Sequence, residues 1–318
     1  MPTFKQLRYF AALTETLHFG RAAERCQVTQ PAMSMQIREL EAELGVVLVE
    51  RTAAGVFLTA PGAEVARRAR QILLAVQDLV DLARHRDRRL AGPLRLGVIP
   101  TIGPYLLPQI LPRLHASYPD VQLSLRESQT EHLIEALSAG GLDLLILALP
   151  VGRDDLATMA LFDDVFHLVV AADHALARRA AVSQKDLFAE RLLLLEEGHC
   201  LRDQALSLCH AAGADQVDDF RASSLATVVQ MVANGYGGTI LPDLALPVET
   251  GAHSRLRVVP FKAPAPVRTI GLAWRASSPR QPDFVEFGRF VIAARNAAGL
   301  AGPRPPRAAA LARPAAAH

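Results

Sequence analysis

Lysine is scarce: the 318 residues include only Lys5, Lys185 and Lys262, none of which follows a glycine. A phosphate-binding Gly-Lys loop is therefore excluded. A His-Glu-x-x-His helix and a Gly-x-Ser-x-Gly elbow are missing too, which removes two common hydrolase signatures. Cysteine is just as sparse. Three thiols cannot staple a chain this long, so a disulfide scaffold is out. No apolar run approaches the roughly 18 residues that a membrane span needs; the best stretch, Leu144 to Val151, is short and follows Asp143. Met1 to Lys5 leads into an amphipathic pattern, not into the apolar core of a signal peptide. The expectation is a cytoplasmic protein with no membrane contact, in which cysteine chemistry is transient and redox-linked.

What the chain does have is apolar residue: half of it is hydrophobic, enough for two domains with separate cores. The net charge of +2 is unevenly spread. Residues 1–90 hold 13 Lys/Arg against 10 Asp/Glu, and residues 91–286 hold 16 against 22. A basic segment ahead of an acidic body fits a nucleic-acid module joined to something else, and fits random surface charge equally well. The cluster Gly235-Tyr236-Gly237-Gly238 lacks a third glycine at dinucleotide spacing and reads as a helix end and turn.

Phe4, Leu7, Phe10, Ala11 and Leu17 give a first helix an apolar face, and a brief second helix spans Gly20 to Cys26. Thr29 is a good N-cap for a third, with Pro31 in its first turn, where the missing N–H costs nothing. That helix runs through Met33, Ile37, Leu40 and Leu44 to a stop at Gly45. This is the helix-turn-helix pattern. Gln30, Ser34, Gln36 and Arg38 fall on the opposite face, where they can meet base edges and phosphates, and Arg51 can reach a backbone phosphate. A small helical bundle with an ordinary polar face gives the same pattern.

Val65, Ala69, Ile72, Val76, Leu79 and Ala83 then recur at alternating spacings of four and three, the seam of a helix that wants a partner helix. A second subunit supplies one, and dimers are how helix-turn-helix proteins address paired half-sites; the alternative is packing on the chain's own body. From Leu94 strands and helices alternate, implying an α/β body with mainly parallel sheets and two lobes around a cleft. Strands are expected at 94–99, 121–125, 142–149, 166–171, 192–195, 239–241, 257–261 and 269–274. Residues 300–318, mostly Ala, Pro, Arg and Gly, are expected to be a disordered tail.

Residues 18–51, from His18-Phe19-Gly20-Arg21-Ala22-Ala23 through Thr29-Gln30-Pro31-Ala32-Met33-Ser34 to Arg51, closely resemble the DNA-binding domain of LysR-type transcriptional regulators. The resemblance implies a winged helix-turn-helix over 1–60, a linker and dimerisation helix over 61–90, and a two-lobed redox-sensing regulatory domain over 91–299 resembling the periplasmic binding proteins. It also implies double-stranded DNA as partner, a homodimer through the linker helix, a dimer-of-dimers tetramer, and contact with RNA polymerase. Thr29, Gln30, Pro31, Ser34, Gln36, Arg38 and Arg51 are the implied DNA-binding residues. Ala32 and Met35 depart from the Thr and Gly of the best-known members.

Within the body, Ile99-Pro-Thr-Ile-Gly-Pro-Tyr-Leu-Leu-Pro108, Glu197-Gly-His-Cys-Leu-Arg-Asp-Gln-Ala205 and Arg268-Thr-Ile-Gly271 are similar to the hydrogen-peroxide-sensing members of that family. By this resemblance Cys200 is the peroxide-reactive thiol and Cys209 the one that resolves it. Thr101, Thr130, His199 and Asp203 form the peroxide site, and Arg268 supports the thiolate. The implied protein is an activator of oxidative-stress genes, reset by glutathione or glutaredoxin, with no cofactor or metal and no enzymatic turnover. Two alternatives stay open: a regulator sensing a small organic ligand in the cleft, and a thiol peroxidase with incidental DNA binding.

Cys200 and Cys209 stand nine residues apart in a segment that reads helical from Leu201 to Ala212. On one helix they are separated by about 13.5 Å of rise, whereas a disulfide needs Cα atoms within roughly 7 Å. Any bond between them must therefore break the helix. A helix start at Cys200, with His199, Arg202 and Arg268 near, is expected to favour the thiolate. His199 and His210 flank the pair, but their spacing matches no common zinc pattern. Two buried structural thiols are the plainer alternative, and Cys26 reads as core.

Overall fold

The computed structural model describes residues 1–52, 55–84, 90–212, 217–251 and 255–297. The expected tail at 300–318 lies outside these. The chain divides into two compact units, Met1–Arg86 and Asp87–His318.

The first unit is built on α1 (Phe4–Thr16), α2 (Phe19–Arg25) and α3 (Gln30–Leu44). Thr3 and Gln6 cap α1 reciprocally. Thr29 accepts from the Ala32 amide, and Gly45 ends α3 at φ 68°, a left-handed turn suited to glycine. A two-stranded wing follows, β1 (Val49–Thr52) antiparallel to β2 (Gly55–Leu58), and then the long helix α4 (Ala60–Arg84). Phe10, Leu13, Met33, Ile37, Leu40 and Leu48 are fully buried at the centre. Ala66 and Ala69 of α4 close that core, but Ile72, Val76, Leu79 and Leu82 further along stay exposed. Half of the apolar seam is thus used within the unit and half is open.

The second unit begins with β3 (Gly92–Val98), α5 (Gly103–Ser117), β4 (Val121–Glu127), α6 (Thr130–Ser138) and β5 (Leu144–Leu149). The sixteen-residue strand β6 (Leu156–Ala171) follows, then β7 (Leu192–Leu195), α7 (Cys200–Ala212) and β8 (Val217–Ala222). Next come α8 (Leu225–Ala233), β9 (Thr239–Pro242), the short α9 (Leu246–Glu249), β10 (Leu256–Pro260), β11 (Val267–Arg275) and α10 (Gln281–Ala297). The first lobe has strand order β4-β3-β5-β11-β6, and β6 runs on into the second lobe, where β9 and β10 flank it.

The expected parallel character holds only for β3–β4, β3–β5 and β7–β8. Every pairing of β6 and β11 is antiparallel, so the architecture is α/β with a mixed sheet. The reason is the return of the chain from lobe to lobe: β11 must run against β6 to bring α10 back onto the first lobe. Strand β6 starts ten residues before the expected 166–171, because Asp163 and Asp164 interrupt its apolar run in sequence. Trp274, Phe166, Phe284 and Phe287 are fully buried, each burial stabilising the fold by about 2–3 kcal/mol.

Candidate sensor site and DNA-facing surface

Cys200 opens α7, after a turn in which Gly198 takes φ +89°. A side chain at 198 would meet the Gln129 amide, whose Nε2 donates to the Glu197 carbonyl at 3.1 Å. This packing fixes the turn from which Cys200 leaves. Thr130, at the start of α6, has a buried hydroxyl without a hydrogen-bond partner among the described residues, close enough to Cys200 to pull its thiol down.

Arg268 of β11 reaches the same place from below. Its Nη1 donates to Thr101 Oγ1 at 2.9 Å and its Nη2 to the Thr101 carbonyl at 3.1 Å. Its Nε donates to Asp164 Oδ2 at 3.0 Å, and Asp164 itself is completely buried. Of the residues expected here, Thr101, Thr130, His199 and Arg268 gather around Cys200 or its partners. Asp203 lies in the first turn of α7 with its side chain exposed. Arg202 turns away and donates to the Leu195 carbonyl at 2.9 Å, tying α7 to β7. The side chains of Cys209 and His210 lie outside the described residues, although α7 is continuous through both. Along that helix Cys200 and Cys209 are about 13.5 Å apart in rise.

The electrostatics correct one expectation. Burial pushes the Cys200 thiol above its ordinary range. Arg268, the Thr130 hydroxyl and the Leu201 amide pull it down without reversing the shift, and Asp203 pushes it up. Desolvation of the anion outweighs one buried cation here. His199, with only 6 % of its surface exposed, is held neutral by burial, against a weaker opposing pull from Glu196 with Oε1 3.8 Å from Nε2.

On the DNA side, Gln30, Pro31 and Arg38 are exposed on α3, and Gln36, half-buried, donates to Glu39 at 2.6 Å. Ser34 lies one turn from both Gln30 and Arg38 on the same stripe of α3. It is covered there, 8 % exposed, and its hydroxyl accepts from Arg51 Nη2 at 2.8 Å. Arg51, on β1, also lies 3.8 Å above the Phe19 ring. It thereby joins wing, α2 and α3.

The helix-turn-helix segment, residues 4–63, matches the model of the bacterial regulatory helix-turn-helix proteins of the lysR family, and residues 87–296 match the LysR substrate binding domain. The chain belongs to the LysR family. Among relatives of this LysR-family regulator is the hydrogen peroxide-inducible genes activator of Dickeya chrysanthemi, 46% identical over 275 residues, covering 86% of this chain and 90% of the relative. The DNA-binding transcriptional dual regulator OxyR of Escherichia coli K12 is 44% identical over 289 residues, covering 91% and 94%. A full-length OxyR variant from Pseudomonas aeruginosa is similar in structure, with a TM-score of 0.74 and 39% identity over 91% of this chain and 94% of that one.

Asp164 is the site residue that sequence reasoning missed. The available signal was a carboxylate in mid-strand, where an unpaired charge is costly and a buried cation must answer it.

Proposed function

We propose that this LysR-family regulator senses hydrogen peroxide through Cys200 and changes its DNA binding when Cys200 and Cys209 join. The observation that carries the reading is Cys200 at the N-terminus of α7, between the orphaned Thr130 hydroxyl and Arg268, in a chain so similar to proteins named for peroxide induction. The thiol loses its proton, and the thiolate attacks the peroxide O–O bond. An S–O bond forms, and the leaving hydroxide takes up a proton and departs as water, leaving a sulfenic acid. The Cys209 thiol then displaces that hydroxyl as a second water and closes the disulfide. Thr101, Thr130, His199 and Asp203 hold the peroxide, and Arg268 stabilises the anion. One oxidation per reduction cycle makes this a sensor, not an enzyme. Glutathione or a glutaredoxin resets it.

DNA is met by Thr29, Gln30, Pro31, Ser34, Gln36 and Arg38, with Arg51 reaching a backbone phosphate. The exposed half of the α4 seam forms a homodimer, and pairs of dimers address paired half-sites in the cytoplasm alongside RNA polymerase. Footprinting with reduced and peroxide-treated protein tests the reading, with mass spectrometry of non-reduced peptides alongside. A Cys200–Cys209 peptide and a changed footprint are expected. An unchanged footprint with the disulfide formed, or a switch retained in Cys209→Ser, would favour a cleft-bound organic effector.

A further inference from the structure

Arg268 carries the only described positive charge that pulls the Cys200 thiol down, so its placement matters to the sulfur. Thr101 grips the two terminal nitrogens. Asp164 takes Nε at 3.0 Å and Nη2 at 2.9 Å on one oxygen, and its other oxygen accepts the Leu244 amide at 2.9 Å. With both oxygens engaged, the carboxylate cannot rotate away. Asp164 and Arg268 are also register partners across β6 and β11, so their side chains leave the sheet on one face.

We propose that Asp164 is a positioning residue of the sensor: it fixes, through Arg268, where the positive charge lies relative to Cys200 Sγ. The inference rests on Cys200 being the peroxide-reactive thiol and adds the residue that sets its reactivity. The groups facing that sulfur are Arg268 from β11, the Thr130 hydroxyl from α6, and Asp203 and the Leu201 amide from α7. His199 is adjacent and neutral, with Glu196 against it. A second guanidinium, Arg295, stacks 3.9 Å above the Phe162 ring and feels the Asp164 charge. Without that charge Arg268 keeps at most a neutral acceptor at Nε and loses the anion that pairs it. A buried cation so released moves toward water, and Cys200 keeps the burial that disfavours its anion while losing the charge that opposes it.

The test uses the full chain carrying Asp164→Asn. The ultraviolet absorbance of the thiolate should show Cys200 titrating at higher pH than in the unmodified protein. A shift of one unit makes the peroxide reaction at neutral pH about tenfold slower, and the gap should close in alkali, where both proteins are thiolate. On an Arg268→Met background, Asp164→Asn should add nothing further. If Asp164→Asn does not fold, Asp164→Glu carries the test: a carboxylate displaced by one methylene moves Arg268, and the titration should shift. An unchanged titration, or the same rate loss at every pH, would overturn the proposal. If peroxide leaves Cys200 of the unmodified protein untouched, the sensor reading falls, and the titration still decides the part of Asp164.

Discussion

Replacing Leu201 by Ala should make the Cys200–Cys209 disulfide harder to reduce. Leu201 is the second residue of α7, 3 % exposed, and sits with Ala205 in the core beneath that helix. Reduced protein enjoys this burial, as well as the bond from Arg202 to the Leu195 carbonyl. Disulfide closure across about 13.5 Å of helix must unwind the turns that carry both. Truncating a buried leucine to alanine costs about 2–5 kcal/mol where the packing exists and little where it has already been lost. The variant thus destabilises the reduced form selectively, by about 3 kcal/mol. At about 30 mV per 1.4 kcal/mol, the potential should fall by roughly 60 mV. The unmodified protein should lie above the roughly −300 mV that marks structural disulfides. Redox titration in glutathione buffers, following the Cys200–Cys209 bond by mass spectrometry, measures both. An unchanged or higher potential in Leu201→Ala would mean that Leu201 keeps its seat on oxidation and that the strain lies elsewhere.

Charges placed in the exposed seam, as Ile72→Asp with Val76→Asp, should weaken dimers in both redox states, since neither residue belongs to the core of its own unit; an unchanged mass by ultracentrifugation would refute the seam. Arg38→Ala should lower operator affinity by about 1–3 kcal/mol if it reads a base, and reduce the salt slope if it meets a phosphate. Arg51→Ala should additionally destabilise the first unit by about 1 kcal/mol or more, because it leaves Ser34 Oγ without its donor; a thermal melt separates the two effects. His199 has a lowered pKa, so the unfolded chain binds its proton first as pH falls. Stability is therefore full above the ordinary histidine range and declines as pH drops through it. Acid denaturation of His199→Gln should lose that part of the slope, and an identical slope would show that His199 takes up its proton equally in the folded and unfolded chain.

Elements with one strong local signal were legible. Thr29, Pro31 and Gly45 bound α3 because capping depends on the residues at the cap alone. Long-range order was not. Nothing local distinguishes a strand paired parallel from one paired antiparallel, so the direction of β11 against β6 emerged only from the fold. Ser34 shares the stripe of Gln30 and Arg38 as its spacing implies, but its hydroxyl is engaged by Arg51, seventeen residues away, which no local pattern announces. The helix start with His199, Arg202 and Arg268 predicts an activated thiol at Cys200. Burial in the large core raises its pKa instead, and burial is a property of the folded packing that the types of the flanking residues do not state.

Strand β6 has a further consequence for how the regulatory unit can come apart. Its residues up to Val165 pair with β11 in one lobe, and those from Phe166 onward with β9 and β10 in the other. A single beam therefore runs through both halves. Cutting out either lobe would strip one edge of the other and leave ladder groups open, so neither half is a separable fragment. The two should melt together, so that a fault at the sensor end would be felt as loss of the whole.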